Sequence, residues 1–517
     1  MARLAQLCAA LTAALICGFA PAVKGAMAQG TGPTVQYGVQ GVTAYDPEQL
    51  ATFAYSHAAA NSAAVEPELL AQAIELIYRE DGFLLAEVEI LQQADGSLLF
   101  HVHEGFIEQI AIEGVDEKLF AAIRAYLEPL TQQRPLRQSA FERAIMLAND
   151  LSDVSLTTEF DYPEGAQGAR LTVTGETLRQ AGSITVDNPP REFGQAATVS
   201  LTQEIYSLLI PGDMLRLRGD LTGHHDSAGD GYSLAGTAYY RAALGPSGLY
   251  GEAYAGNVIG DRDAAGGFVD TELRGFEGGA VIGYPVLRNL HDYAYTLGEY
   301  RHSSVRSSGG GIDFRSAVHA VSGMVLYGHD SDLGAPTRLG GIFTGGWRDG
   351  AAPAGEDDGD DQFWHVRAAF ATSQPLAAVH EDLSLVLDLH GQFTSARLPS
   401  VEEFHLGTRN SMRGYRSGEV SGDSGLTGSI ELHHIAELGG GLRRINSFAF
   451  LDSGFVHNNA PGPDEVGEMS LASAGIGLRA FFDNGLSAHG WFGVPLVDGV
   501  TTGQYEPAVL IGLTKTW

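Results

Sequence analysis

Cysteine is scarce in this sequence. Its 517 residues include two cysteines, Cys8 and Cys17, and both lie in residues 1–28. This segment has the pattern of a secretory signal peptide, with a basic start, a mostly apolar stretch and the small-x-small motif Ala26-Met27-Ala28. We therefore predict cleavage after Ala28 and export to an oxidising compartment. The exported chain would contain no thiol, which excludes disulfide bonds.

Positively charged residues are also scarce, with 31 lysines and arginines against 63 aspartates and glutamates. Binding to the phosphates of DNA or RNA requires a basic surface, so this balance argues against a nucleic-acid partner. The sequence has no Gly-x-x-x-x-Gly-Lys segment, and no other motif indicates a cofactor. We therefore expect neither nucleic-acid binding nor a nucleotide-dependent activity.

Long apolar runs are absent after residue 28, because none reaches the roughly 18 consecutive apolar residues that a membrane-spanning helix needs. Glycine is abundant, with 67 residues, and only 18% of the residues are charged. Helices and closed barrels are the structures that satisfy all their backbone hydrogen bonds within a bilayer. If this chain crosses a membrane, we expect it to do so as a β-barrel.

The first part of the exported chain contains the same pattern of predicted elements twice. Each copy reads as strand, helix, helix, strand and strand, the first over residues 31–104 and the second over residues 105–176. The first copy includes a predicted strand over Phe83–Leu91. In the second, Pro129 is the expected stop of a helix over Glu117–Leu127. Each copy would form a small α+β domain whose three-stranded sheet leaves an edge free.

Residues 177–517 consist of short segments in which apolar and polar residues alternate, as Leu387 and Leu389 alternate with Asp388 and His390. Such alternation suits strands with one face toward lipid and the other toward a wet lumen, so the predicted fold is an all-β transmembrane barrel of about sixteen antiparallel strands. The predicted strands begin near residues 182, 197, 213, 231, 249, 272, 293, 314, 337, 362, 382, 426, 444, 469, 486 and 505.

The connections between these segments alternate in length. Residues 245–248 and 483–485 form short turns, whereas residues 223–230, 350–361 and 458–468 form longer polar loops. In bacterial barrels the short turns lie in the periplasm and the long loops lie outside the cell. The alternation therefore predicts an orientation in which the two α+β domains are periplasmic.

The connection at residues 401–425 is too long for a hairpin, and long connections of this kind are often functional. It contains Arg413-Gly414-Tyr415-Arg416, and two arginines near a glycine and an aromatic residue fit insertion into a polar interior and a glycine-rich surface loop about equally well. The same segment includes Gly422-Asp423-Ser424-Gly425, which spells a serine-protease nucleophile sequence. A catalytic triad also needs a placed histidine and aspartate on a matching fold, so we predict no catalytic residues.

These features resemble the outer-membrane transporters of two-partner secretion (TpsB), which include the haemolysin and filamentous-haemagglutinin secretion proteins. Arg413-Gly414-Tyr415 matches the Arg-Gly-aromatic signature of this family, although Met412 stands where valine is usual. The segment from Phe450 through Asp452 to Gly454 resembles the strand motif whose aspartate pairs with that arginine. Gly182 to Asn188, which includes Asp187, resembles the first barrel strand of the family, and Gly82 to Gly105 resembles the end of its first polypeptide-transport-associated (POTRA) domain.

The resemblance implies that the 401–425 loop folds back into the barrel, where Arg413 would pair with Asp452. The strand pattern gives partial support, because Asp452 shares its parity with Phe448 and Phe450. A carboxylate that faces hydrocarbon is more costly than two aromatic rings that face the lumen. We therefore expect Asp452 to point inward and to form a salt bridge with Arg413.

The resemblance further implies an outer-membrane pore that recognises a partner exoprotein of the TpsA type in the periplasm and secretes it. Outer-membrane lipids and the barrel-assembly machinery would be its other partners. A barrel-assembly factor of the same superfamily is the alternative, but such factors usually carry three or more repeats and this chain has two. A passive porin and an enzyme are less favoured. The acidic residues 356–361 lack the spacing of a calcium loop, so we predict no metal site.

Many relatives carry an N-terminal helix that plugs the pore. Here only Gln29–Pro33 lie between the predicted cleavage site and the first predicted strand. We therefore expect no plug helix, and the resting pore would be narrowed by the 401–425 loop.

Overall fold

The computed structural model describes residues 37–61, 66–94, 97–152, 154–189, 196–226, 229–264, 271–309, 312–331, 334–349, 359–407, 411–462 and 465–517. The predicted signal peptide and the Gln29–Pro33 segment lie outside these ranges. No helix within them is both long and apolar enough to cross a bilayer.

The first α+β domain contains two helices and a three-stranded sheet. Asp46 caps its first helix, because its carboxylate accepts hydrogen bonds from the backbone N–H groups of Glu48 and Gln49 at 3.1 and 3.0 Å. Leu50, Ile74 and Phe100 are buried between the helices and the sheet. In the sheet β3 is central, parallel to β1 and antiparallel to β2. The elements are β1 (Tyr37–Gln40), α1 (Pro47–Asn61), α2 (Pro67–Glu80), β2 (Glu87–Gln92) and β3 (Leu98–His103).

The second α+β domain repeats this order. Its sheet has the order β4-β6-β5, so β4 and β5 form the two edges, and Ile123, Leu127 and Leu171 are fully buried in its core. Pro129 was the predicted stop of the first helix, and it lies in a 3-10 turn that continues directly from that helix. The elements are β4 (Ile107–Glu113), α3 (Glu117–Leu127), a 3-10 helix (Glu128–Gln132), α4 (Gln138–Asn149), β5 (Val154–Asp161) and β6 (Ala169–Thr177).

Sixteen antiparallel strands then close into a barrel in which β24 pairs with β7. The predicted fold class, a sixteen-stranded barrel preceded by two small α+β domains, is confirmed, and each strand begins within three residues of its predicted start. The strands are β7 (Gln180–Asp187), β8 (Ala196–Tyr206), β9 (Met214–Asp226), β10 (Gly229–Ala243), β11 (Tyr250–Ala264), β12 (Thr271–Arg288), β13 (Asp292–Gly309), β14 (Ile312–His329), β15 (Thr337–Arg348), β16 (Gln362–Pro375), β17 (Leu383–Phe393), β20 (Ser424–Glu437), β21 (Leu442–His457), β22 (Glu468–Phe482), β23 (Leu486–Pro495) and β24 (Ala508–Thr516).

Two local predictions were wrong. The strand expected at Phe83 begins at Glu87 instead, because Phe83 is buried and its backbone N–H bonds to Tyr78 at the end of α2. The polar loop expected at residues 223–230 is mostly strand, since β9 continues to Asp226 and β10 resumes at Gly229. Polar composition marks a segment as hydrated, but strands that extend beyond a membrane are hydrated too.

The second α+β domain contacts the end of the barrel that carries the connections 207–213, 244–249 and 289–291, which we call the turn end. Asp150 lies at the centre of this joint. Its carboxylate accepts two hydrogen bonds from the guanidinium of Arg288, at 2.8 and 3.0 Å, and one from the hydroxyl of Tyr295 at 3.0 Å. The Tyr126 hydroxyl also donates to the backbone oxygen of Gly245 at 3.3 Å. The opposite end of the barrel is called the loop end.

We predict that Asp150→Ala loosens this joint. The substitution leaves the guanidinium of Arg288 without its carboxylate, and the loss of hydrogen bonds to a charged group costs about 1.5–3 kcal/mol. Limited proteolysis of the purified protein should cut the segment between α4 and β7 faster, while the barrel keeps its heat-modifiable migration on gels. Asp161→Ala is the matched control, because Asp161 pairs with Arg170 inside the same domain. Equal proteolysis of both variants would contradict the prediction.

Candidate functional site in the barrel lumen

The connection between β17 and β20 folds into the barrel and is called the inward loop. It covers residues 394–423, of which 408–410 lie outside the described ranges. The predicted connection was 401–425, so the observed loop begins seven residues earlier and ends two residues sooner. It ends sooner because Ser424 and Gly425 belong to β20 and pair with the neighbouring strands. The loop contains a 3-10 turn (Ser400–Glu402) and a short hairpin of β18 (Phe404–Leu406) and β19 (Val420–Gly422).

The structure brings Arg413 of the inward loop into contact with Asp452 on β21. The Arg413 Nε and Nη2 atoms donate to the two carboxylate oxygens at 2.9 and 2.7 Å, and its backbone N–H donates to Oδ2 at 2.9 Å. Only 4% of Arg413 and 0% of Asp452 is exposed. This is a bidentate pair shielded from water, the geometry in which the planar guanidinium fork is most selective for a carboxylate.

The remaining guanidinium donors also have partners on the barrel wall. Arg413 Nη1 donates to Glu431 at 2.5 Å, and Nη2 donates to the hydroxyl of Ser429 at 2.8 Å. Ser429 in turn donates to Asp452 at 2.7 Å. The guanidinium carbon lies 3.6 Å from the ring centre of Phe450, a cation–π contact. Phe450, which lies on the same face of its strand as Asp452, is therefore part of the arginine site.

Alternation along β21 is complete across this site. Phe448, Phe450, Asp452, Gly454 and Val456 are buried, and the residues between them are exposed on the outer face. Phe448, Phe450 and Asp452 therefore all face the lumen. The inward loop accommodates them together, because its Arg413 contacts both the carboxylate and the Phe450 ring. The Phe448 and Phe450 rings lie over glycines of β22, where a Cβ would meet them at 2.1–2.4 Å.

Glycine is required at two positions of the motif. Gly414 has a φ of 106°, which disfavours any side chain, and a Cβ there would lie 3.2 Å from Pro495. Gly454 leaves room for the loop, because a Cβ there would come within 2.7 Å of Leu406 and 3.1 Å of the sulfur of Met412. Met412 itself adopts a left-handed φ of 56° and is fully buried.

Tyr415 fixes the loop tip to the wall on the other side of the arginine. Its ring is buried in an apolar cluster with Leu406, Met412 and Leu471. Its hydroxyl oxygen lies 2.9 and 2.8 Å from the backbone oxygens of Ala472 and Val497, which compete for its single proton. A buried tyrosine of this kind packs like an apolar residue while its hydroxyl keeps a hydrogen-bond partner.

A second buried carboxylate, Glu402, anchors the base of the loop, and it was not predicted from the sequence. Its Oε1 accepts from Arg301 of β13 at 2.6 Å, and its Oε2 lies 3.1 Å from His365 and 3.7 Å from Arg367 of β16. Arg367 also donates to the backbone oxygen of Glu402 at 2.9 Å. No neighbouring motif distinguishes this glutamate, and its partners lie on distant strands.

Two further carboxylates of the loop bind backbone groups. Glu419 accepts from the N–H and hydroxyl groups of both Thr501 and Thr502, at 2.6–3.0 Å. Burial opposes its charge, but the Thr502 hydroxyl and the two N–H groups dominate and lower the pKa of Glu419 below its ordinary 4.5. This anchor is therefore charged at neutral pH and is lost as the pH falls through the lowered pKa. Asp423 accepts from Leu398 and Asn459 N–H groups at 2.6 and 2.8 Å, a structural role for the protease-like segment.

Asp187 and Asn188 lie away from the inward loop, at the seam between the first and last barrel strands. Asp187 is the last residue of β7 that pairs with β24, opposite Gly512. Asn188 extends the pairing with its side chain, which donates to Val509 O at 2.8 Å and accepts from Ile511 N–H at 2.8 Å. These two residues therefore close the barrel and do not contribute to the arginine site.

A closed barrel of sixteen antiparallel strands, apolar outside and polar inside, with an arginine-bearing loop in its lumen, defines an outer-membrane β-barrel protein. Residues 340–480 match the model of a family described as haemolysin secretion/activation protein ShlB/FhaC/HecB. The matched segment contains both Arg413 and Asp452. The resemblance to two-partner secretion transporters is therefore confirmed.

Several solved structures share the fold of this chain. CdiB from Acinetobacter baumannii covers 100% of this chain and 97% of its own, with 15% identity and a TM-score of 0.68. CdiB from Escherichia coli covers 96% and 93%, with 17% identity and a TM-score of 0.72. BamA from Haemophilus ducreyi lacking POTRA domains 1–3 covers 86% and 93%, with 15% identity and a TM-score of 0.50. A comparison with curated protein sequences found no match.

We predict that Arg413→Ala releases the loop tip while the barrel remains folded. Removal of one partner of a buried pair leaves an uncompensated charge and costs roughly 3–5 kcal/mol. Single-channel recordings in planar bilayers should show larger or more frequent openings, and export should be lost. Arg413→Lys should behave similarly. The single ammonium group of lysine cannot replace the planar set of hydrogen bonds that the guanidinium makes to Asp452, Glu431 and Ser429.

Arg416→Ala is the matched control, since this arginine of the same loop is exposed. Exchange of Arg413 and Asp452 should restore function only in part, because an aspartate at position 413 would face Glu431. Wild-type conductance and export from a folded Arg413→Ala barrel would show that the pair does not hold the loop.

Glu402→Gln is expected to loosen the base of the loop and to leave its tip in place. The amide keeps the shape of the side chain but removes the charge that compensates Arg301 and Arg367, at a cost of about 1.5–3 kcal/mol. Channel recordings should show increased current noise in the open state, and this effect should be smaller than the change in openings expected for Arg413→Ala. Glu381→Gln, at an exposed carboxylate of the turn end, is the control. Unchanged recordings for a folded Glu402→Gln barrel would refute the anchor.

Proposed function

We propose that this protein is an outer-membrane secretion pore that takes a partner exoprotein from the periplasm and passes it across the outer membrane. The observation that carries the proposal is the inward loop, whose arginine is paired with a strand carboxylate inside a closed barrel. The two α+β domains, residues 31–104 and 105–176, would be POTRA domains in the periplasm. The barrel at residues 177–517 would be the translocation unit.

The free sheet edges of the second domain support a mode of substrate recognition. β4 and β5 each pair with β6 alone among the described strands of this sheet. An extended polypeptide can add to such an edge through backbone hydrogen bonds, which requires little sequence specificity. Because the same domain contacts the turn end of the barrel, a segment held on its sheet would lie near the entrance to the lumen.

The lumen beside the inward loop leaves limited space. A cavity of about 920 Å³ lies next to the loop, with Arg367, Gln392 and Glu431 among its lining residues. Passage of an extended chain would then require movement of the loop. We propose that the Arg413–Asp452 pair holds the closed state and that arrival of the substrate shifts this equilibrium, as a ligand does when it binds one state better.

Cysteine crosslinking tests the substrate path. If the signal peptide is cleaved as predicted, the exported chain has no cysteine, so a single introduced thiol reports one position. Thr158→Cys, at an exposed position of edge strand β5, should crosslink to a cysteine-bearing exoprotein stalled during export. Ala121→Cys on the exposed side of α3 is the matched control in the same domain. Crosslinks confined to the control position, or to the loop end of the barrel, would contradict the proposed path.

A barrel-assembly factor remains a second candidate because the structure of BamA lacking POTRA domains 1–3 aligns with 86% of this chain. The two functions predict different consequences of depletion. Loss of a secretion pore should retain one exoprotein in the cell and leave the levels of other outer-membrane barrels unchanged. A general fall in folded outer-membrane barrels would favour the assembly function instead.

A further inference from the structure

Three arginines form a row across neighbouring strands near the loop end of the barrel. Arg274 of β12 is paired directly with Arg306 of β13, which is paired directly with Arg315 of β14. Directly opposed residues of antiparallel strands point to the same face, and like charges in this arrangement repel. The protein supplies part of the compensating negative charge, because Glu272 pairs with Arg274 and Arg306 also has an interaction partner, and an external anion can supply the rest.

The row lies on the outer surface of the barrel. Along β14, Arg315 has the same parity as Val321 and Val325, which are 52% and 57% exposed. The residues of opposite parity, Ser316 and Ser322, are buried in the lumen. Exposed valines on a membrane-spanning strand mark the face that contacts lipid. The three guanidinium groups therefore lie on the lipid-facing side.

Along the membrane normal, the arginine row lies at the level of the lipid headgroups. Phe276, Tyr300 and Trp347 lie on the same outer face, closer to the turn end, and are each between 43% and 45% exposed. Outward aromatic residues of this kind mark the membrane–water interface. Arg315 lies four residues beyond His319, the direct partner of Trp347, which is about 13 Å along the strand at ~3.3 Å per residue. Strand tilt reduces this to about 10 Å along the membrane normal.

We propose that the arginine row binds the phosphate groups of a phosphorylated glycolipid in the leaflet at the loop end. Guanidinium groups match phosphate oxygens with paired hydrogen bonds, and three of them in a row suit a headgroup that carries more than one phosphate. Arg274 also forms an ion pair with Glu272 that is exposed on both sides, so water already competes for it and a phosphate can share the guanidinium. The proposal rests on the orientation in "Proposed function", which makes this leaflet the outer one.

A lipid-binding measurement on the full-length protein tests the proposal. The protein, purified in a neutral detergent, would be titrated with diphosphorylated lipid A and with the same lipid after removal of its phosphates. Wild type should bind the phosphorylated form at least tenfold more tightly. The triple variant Arg274→Gln, Arg306→Gln and Arg315→Gln should lose this preference and keep the weak binding of the dephosphorylated lipid.

The control variant makes the same change in charge elsewhere, with Arg124→Gln, Arg179→Gln and Arg443→Gln, all exposed and away from this face. It should retain the wild-type preference, and heat-modifiable migration verifies that every barrel is folded. Equal binding of both lipids by wild type, an equal loss in both triple variants, or equally strong binding of inorganic phosphate would each overturn the proposal. Because no export is measured, failure here leaves the secretion function untouched, and failure of secretion leaves this result standing.

Discussion

A carboxylate on a membrane-spanning strand needs a cationic partner once it is removed from water, and this constraint organises the lumen. Asp452 is fully buried, and its partner comes from a connection that would otherwise be free to extend into solvent. To deliver Arg413, the chain turns at Gly414, packs Met412 and Tyr415 against the wall and leaves Gly454 without a side chain. The loop conformation therefore both depends on the Arg413–Asp452 pair and holds Arg413 in place to form it.

The loop is held at several points by charges of alternating sign. At its tip the loop supplies the cation and the wall supplies the carboxylates of Asp452 and Glu431, whereas at its base Glu402 meets the cationic Arg301. Withdrawal of the whole loop would expose all these groups together, while a shift of the tip alone would break only the Arg413 contacts. Interactions on distant strands add nearly independently, so a local movement is energetically favoured over full extraction.

Sequence patterns predicted the fold closely because barrel strands follow a simple rule of alternation over long distances. We expected Asp452 to point inward although Phe448 and Phe450 lie on the same face and favour a lipid-facing orientation. The reason was that a lipid-facing carboxylate costs more free energy than aromatic rings in a lumen. Glu402 and Glu419 were missed for a physical reason. Their partners, Arg301 and the Thr501–Thr502 backbone, are far away in the chain, and no local pattern distinguishes a buried glutamate of a loop from a solvated one.

The distribution of the few basic residues follows from the same electrostatics. Because the chain has twice as many acidic as basic residues, each ordered arginine has many possible partners, and its location shows where a charge must be compensated. Arg288 meets Asp150 at the joint, Arg301 meets Glu402 at the loop base, and Arg413 meets Asp452 at the tip. In each case the partner comes from a separate part of the chain and the arginine joins the two. The outward row at Arg274 and Arg306 differs from these three, because Arg274 pairs with Glu272 of its own strand, and its guanidinium groups are the ones that we propose a membrane anion shares.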